Sequence, residues 1–181
     1  MDSRQMTGTE KNDEYIRILD RMRHLCSTRE YCSADIRQKI SKMMAGRHGR
    51  GSGEAGTEGD TEKVIDGIIA SLESDGYLSD MRYAAAFARD KAAITGWGRV
   101  KIRYALGAKG IDGDIISAAL GEIDGNRSSD RLERLVAAKY RSLAEKDTGM
   151  DTIRMKVIRY ATGRGYSYDE VADILQKVMD T

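Results

Sequence analysis

Two histidines and two cysteines are the residues of this 181-residue chain best suited to proton transfer, nucleophilic attack or metal binding. Their placement assembles none of these. His24 falls in a stretch of helical apolar spacing and His48 in a glycine-rich segment, so both read as structural or solvated imidazoles. Cys26 and Cys32 lack CxxC spacing and have no second ligand pair, which argues against a zinc site. Two thiols cannot staple a chain of this size, and a reduced cytoplasmic setting suits them. The segment GRHGRGSGEAG is rich in glycine but lacks the Gly-Lys-Ser/Thr ending that a phosphate-binding loop needs. Asp112-Gly113-Asp114 and Asp124-Gly125-Asn126 are turn and cap chemistry, because no twelve-residue calcium loop with a closing Glu surrounds either. The sequence predicts no catalytic residue, no metal site and no cofactor. It predicts a protein that binds.

What it binds is suggested by charge. Lys and Arg number 30 against 29 Asp and Glu, a net of +1, yet the charges are unevenly spread. Residues 82–109 hold Arg82, Arg89, Lys91, Arg99, Lys101, Arg103 and Lys109 against Asp90 alone, and seven less one leaves +6. Each of these taken singly reads as a solvated charge. Together they form a candidate surface for an anionic partner. Arg89 and Lys91 close one predicted helix while Arg99, Lys101 and Arg103 open the next, so the two groups can converge across a Gly96–Gly98 corner. Trp97 sits at that corner and has two readings, a core plug or an exposed contact. The polar N-terminus has no apolar core of a secretory signal, and no run of eighteen apolar residues exists to span a membrane. With a mean hydropathy of −0.54 and 33% charged residues, a soluble monomer is expected.

The elements that carry these residues are predicted to be helices throughout. Proline is absent and Phe and Trp occur once each, which argues against a sandwich or barrel. Apolar residues recur at helical spacing from about Asp13 to Glu30, from a Ser33 cap through Ile36, Ile40, Met43 and Met44, and after Thr61 through Val64 to Leu72. Between the last two, residues 46–60 contain six glycines and no large apolar side chain, the composition of a flexible loop. Further helices are predicted from Asp80 to Ile94 behind a Ser79 cap, through Val100, Ile102, Tyr104, Ala105 and Leu106, and behind Asp112. The last three cover roughly Asp130–Glu145, Thr152–Thr162 and the stretch after the capping box Ser167-x-x-Glu170.

Nine helices in series read as three copies of one three-helix unit. Ile102-Arg103-Tyr104-Ala105 matches Ile158-Arg159-Tyr160-Ala161, and Lys109-Gly110-Ile111 matches Arg164-Gly165-Tyr166 after one gap. Asp35 to Ile40 gives a weaker third copy. The expected organisation is a disordered segment 1–12, a first repeat over 13–78 carrying the insertion 46–60, a second over 79–125 and a third over 126–181. Such repeats stack on their neighbours into an elongated, solenoid-like all-α body.

Residues 76–111 carry a resemblance. Gly76-Tyr77-Leu78-Ser79-Asp80-Met81-Arg82-Tyr83-Ala84, then Phe87, then Gly96-Trp97-Gly98 with Ile102, and finally Leu106-Gly107-Ala108-Lys109-Gly110-Ile111 follow the ordered motifs of the RecX family, the bacterial modulators of the RecA recombinase. The resemblance extends more weakly from Asp13 to Met179. Two features depart from the family pattern: the glycine-rich segment 46–60 replaces a short turn, and Arg99 stands where relatives often have proline. Proline at the first turn of a helix only presets φ, so the second departure is expected to matter little. The resemblance implies a cytoplasmic protein that lies in the groove of the RecA–DNA filament, contacts recombinase and DNA, and restrains strand exchange and ATP turnover in DNA repair and the SOS response.

The residue patterns by themselves support a helical binding module. They leave open a free-standing helix-turn-helix DNA-binding regulator and a scaffold that binds another protein's helix. Against the former, residues 113–123 read GDIISAALGEI, apolar and acidic where a recognition helix would be basic. Tyr77, Leu78, Tyr83, Phe87, Ile102 and Leu106 are expected to hold the second repeat together, with Asp80 in its opening motif. Gly76, Gly98 and Gly110 are expected as caps and breaks between helices.

Overall fold

The structure is a computed structural model that describes the backbone of residues 8–48, 58–145 and 149–180. Among these residues all regular structure is helical, in nine segments: α1 (Gly8–Thr28), α2 (Ser33–His48), α3 (Glu58–Ser74), α4 (Asp80–Ala93), α5 (Arg99–Gly107), α6 (Gly113–Gly121), α7 (Gly125–Ala144), α8 (Met150–Thr162) and α9 (Tyr168–Met179). The all-helical expectation holds. Helix α1 begins at Gly8, so residues 8–12, expected to be disordered, are helical. Glu and Lys are good helix formers and extend the segment beyond its first apolar residue. The expected loop 46–60 loses residues 46–48 and 58–60 to helix ends, and residues 49–57 lie outside the described residues, as do 1–7. Asp124 accepts from the Arg127 backbone N–H at 3.1 Å, which starts α7 five residues before the expected Asp130.

The chain divides into two compact units, Met1–Tyr83 and Ala84–Thr181. In the first, α1 and α2 both pack on α3, and Met22, Ile36, Ile40, Ile65, Ile68 and Leu72 are fully buried. In the second, α5 packs on α6, while α7, α8 and α9 enclose Leu132, Val136, Val157, Val171 and Leu175. These faces follow from apolar spacings of three and four residues.

The motif Gly76-Tyr77-Leu78-Ser79-Asp80 closes the first unit instead of filling the second repeat. Gly76 has φ +75° at the end of α3. The Tyr77 N–H donates to the Leu72 carbonyl at 2.9 Å and the Gly76 N–H to that of Glu73 at 3.0 Å, a Schellman cap. Leu78 is buried in the core with Leu72 and Ile69, whereas the Tyr77 side chain is on the surface. Ile102 and Leu106 are fully buried on α5. The same cap recurs at Gly110 (φ +74°) and Gly165 (φ +91°), each followed by a buried residue, Ile111 or Tyr166.

Ser79 caps α4, accepting from the Arg82 N–H at 3.3 Å. Ser33, expected to cap α2, is instead its first helical residue. Its N–H and its hydroxyl both donate to the Asp80 carboxylate, each at 2.7 Å. A carboxylate at the start of α4 thus caps α2 from 47 residues away. Asp80→Ala is expected to cost about 2 kcal/mol by orphaning both donors. Asp80→Asn, which keeps an acceptor, should cost less. Urea midpoints compared at equal slope check both.

Candidate basic binding face

Of the two histidines and two cysteines, three have described side chains. His24 is exposed on α1, and the His48 side chain is outside the described residues. Cys26 and Cys32 are buried, and burial pushes the Cys26 thiol above its ordinary pKa, away from the reactive thiolate. No cluster of three metal-ligating side chains occurs among the described residues, and no described helix is long and apolar enough to cross a membrane.

The seven basic candidates separate by what holds them. Arg82 belongs to the first unit and has structural work: its Nε donates to Glu30 at 2.9 Å and its Nη2 to the Gly76 carbonyl at 2.8 Å. The remaining six lie in the second unit. Lys91 and Lys101 flank Trp97, with ammonium groups 5.0 and 4.5 Å from its ring centre. Phe87 meets the same ring edge-on at 6.3 Å. Trp97 is half-buried, so it is a packed ring lined by cations, between the two readings the sequence allows. Arg99 is the first residue of α5, a position where proline is well tolerated. Its Nη2 donates to the Ile123 carbonyl at 3.3 Å. Lys109 is half-buried at the far end of α5. Arg89 and Arg103 are exposed and have no partner among the described residues.

The corner that brings these residues together is set by glycine. Gly98 donates its N–H to the Arg164 carbonyl at 2.9 Å, and the Val100 N–H donates to the Gly165 carbonyl at 3.0 Å. The first orphan N–H groups of α5 are thereby satisfied by the turn between α8 and α9. A Cβ on Gly98 would overlap the Gly165 carbonyl, and one on Gly165 would overlap Cβ of Lys101. Gly98 is required for close approach of two backbones, a role beyond the helix break expected of it. Arg131 also braces the corner by donating to the Ala92 carbonyl at the end of α4, a contact without a sequence signal.

Helix α5 presents a face the sequence misassigned. Val100 and Tyr104 were expected among its apolar positions, but they are 55% and 79% exposed. The pairs 100/104 and 102/106 are offset by two residues, about 200° around the helix, so only one pair can face the core. Ile102 and Leu106 take it. The opposite side displays Val100, Arg103 and Tyr104, and residues 91–111 contain five Lys or Arg and no acid.

The middle helix of the first unit provides an internal contrast. Arg37 follows the buried Ile36 on α2 as Arg103 follows the buried Ile102 on α5. Arg37 is bound by Glu62 at 2.7 Å and by Asp66, both on α3, and those carboxylates hold its pKa above the ordinary value. Arg103 has no such partner among the described residues. Helix α8 lies between these cases. Arg159 is exposed on α8, and the next residue, Tyr160, has Lys139 and Arg164 over its ring at 5.0 and 5.3 Å.

Known proteins bear on these geometries directly. Residues 79–120 match the family described as RecX, second three-helix domain, the stretch that carries α4, α5 and most of α6. A protein of Clostridium acetobutylicum named regulatory protein RecX is 30% identical over 119 residues, 65% of this chain and 55% of its own length. The chain thus spans little more than half of that relative. A protein of the same name from Shigella boydii serotype 18 is 27% identical over 176 residues, 96% of this chain and 98% of its own length. The chain is thus similar to RecX proteins, over residues 79–120 to the family's second domain and at lower identity over nearly its whole length. Its fold is also that of RecX crystal structures: one from Lactobacillus salivarius superposes with a TM-score of 0.75 at 17% identity, covering 94% of this chain and 99% of that one. Another superposes at 0.73 and 19% identity, covering 98% and 81%. The RecX second-domain match falls on the acid-free stretch and on the Gly98 corner that positions it. These RecX relatives are named as regulatory proteins.

Proposed function

We propose that this protein binds the RecA–DNA filament through the basic face of its second three-helix group and inhibits recombinase and ATPase activity. The observation that carries the reading is the outward side of α5. Arg103 has no acid to meet within its own unit, in a 21-residue stretch without a carboxylate, on the segment that matches the RecX second domain. Leaving such a concentration of cations unneutralised opposes folding slightly by self-repulsion and favours an anionic partner. A nucleoprotein filament offers one in its phosphates and acidic protein surface. The three-repeat organisation, with boundaries near 78 and 125, is part of the same reading, as is action as a monomer in the cytoplasm. A free-standing helix-turn-helix regulator fits less well, because Asp112, Asp114 and Glu122 are exposed on and around α6, where a recognition helix needs cations.

The test is RecA-catalysed ATP hydrolysis on single-stranded DNA with increasing amounts of the protein. Hydrolysis should fall in a saturable way. An unchanged rate at saturating protein would overturn the reading.

A further inference from the structure

Tyr104 is the large aromatic side chain of the described residues most exposed to solvent, and its ring has no ring, cation or hydrogen-bond partner among them. Tyr160, in the equivalent place on α8, has its ring covered by Lys139 and Arg164. Gln38, the residue that follows Arg37 on α2, has no ring at all. Only the second group therefore combines an open ring, a neighbouring arginine without a partner and an acid-free surround. Val100 lies one turn before Tyr104 on the same side and keeps the ring's approach apolar. The corner bonds from Gly98 and Val100 to the α8–α9 turn hold α5 in place, so the ring stands on a rigid support.

We infer that Tyr104 is a stacking platform for a base of single-stranded nucleic acid, with Arg103 on an adjoining phosphate. Every base offers a π-face, and an exposed ring beside a cation matches a strand whose bases are splayed from one another. A duplex keeps its bases stacked and has no face to give. An acidic protein surface would satisfy Arg103 but leaves the open ring without a matching feature, so the strand is the occupant that uses both residues. The inference rests on the reading above only for where the strand is met, within a filament; the stacking itself requires no recombinase.

The test uses fluorescence anisotropy of a dye-labelled oligothymidylate and of a duplex of equal length, without RecA, titrated with the full chain and with Tyr104→Ala and Tyr104→Phe. Alanine is the best helix former and the position is exposed, so neither variant should disturb the fold. Tyr104→Ala should weaken strand binding by about ten- to a hundred-fold, the range for loss of one stacked base. Tyr104→Phe should retain the parent affinity, and the duplex should bind all three alike. The inference is overturned if the parent binds no strand, if Tyr104→Ala binds it as the parent does, or if the duplex loses as much. A Tyr104→Ala protein that keeps strand affinity but no longer inhibits RecA would place the ring against protein. That result overturns this inference and leaves the proposed function standing. Ring-dependent strand binding by a protein without effect on RecA would do the reverse.

Discussion

Gly98→Ala is expected to destabilise the Ala84–Thr181 unit by roughly 3 kcal/mol, near the top of the range for forced overpacking. The cause is steric. Gly98 has φ −76°, a conformation alanine adopts freely, so no backbone strain enters; the new methyl instead meets the Gly165 carbonyl and the Tyr166 N–H. A side chain at fault can rotate, but a backbone in a helix-capping turn cannot yield without breaking the bonds from Gly98 and Val100 to that turn. Gly165→Ala should be worse, because its methyl would overlap Lys101 and its backbone is left-handed. That conformation alone adds about 1–2 kcal/mol for a residue with a Cβ. Gly107→Ala is the control, since Gly107 ends α5 with open space around it. Its stability should change by about 0.5 kcal/mol or less. Urea unfolding followed by circular dichroism separates the three. Equal midpoints for the Gly98 and Gly107 variants would mean the corner is not the tight joint described.

Removing the two arginines without partners should have the largest functional effect. Arg89→Ala with Arg103→Ala is expected to raise the protein concentration needed to halve RecA ATP hydrolysis about ten-fold or more at low salt. It should also flatten the salt dependence, by about 0.7 in logarithmic slope for each single-strand phosphate no longer neutralised. Stability should be unaffected, since neither residue packs or bonds within the fold. Arg99 and Lys101 should contribute less, because the Ile123 carbonyl and the Trp97 ring already hold them. Arg82→Ala should behave in the opposite way, lowering stability by leaving Glu30 without its partner while inhibition is kept. An Arg82 variant that loses inhibition at full stability would contradict this division.

Much of this architecture is legible in the residues. Spacing of apolar side chains places nine helices, because each buries one stripe against its neighbours and the rest of its surface must be polar. Gly76, Gly110 and Gly165 are readable as helix ends because only glycine enters the left-handed conformation without a penalty. The failures share a cause, which is tertiary geometry. Val100 and Tyr104 have the same i, i+4 spacing as Ile102 and Leu106, and only packing decides which pair faces inward. Ser33 looks like a cap from local sequence, yet the acceptor that satisfies it comes from Asp80, far along the chain. Gly98 looks like a break, but its lack of a side chain matters because Gly165 lies against it. The basic stretch was visible as a sum of charges. Its division into bound Arg82, Arg99, Lys91 and Lys101 and unbound Arg89 and Arg103 was not, since a charge count carries no information about partners.

Direct binding to the assembled filament tests the central claim most closely. Fluorescently labelled protein, as the parent chain and as the Arg89→Ala/Arg103→Ala variant, is titrated with RecA filaments on single-stranded DNA at low and at physiological salt. The parent should bind saturably and weaken as salt rises, while the variant binds about ten-fold less tightly with a shallower salt response. A variant that binds as tightly as the parent at both salt concentrations would show that the filament is met by another surface.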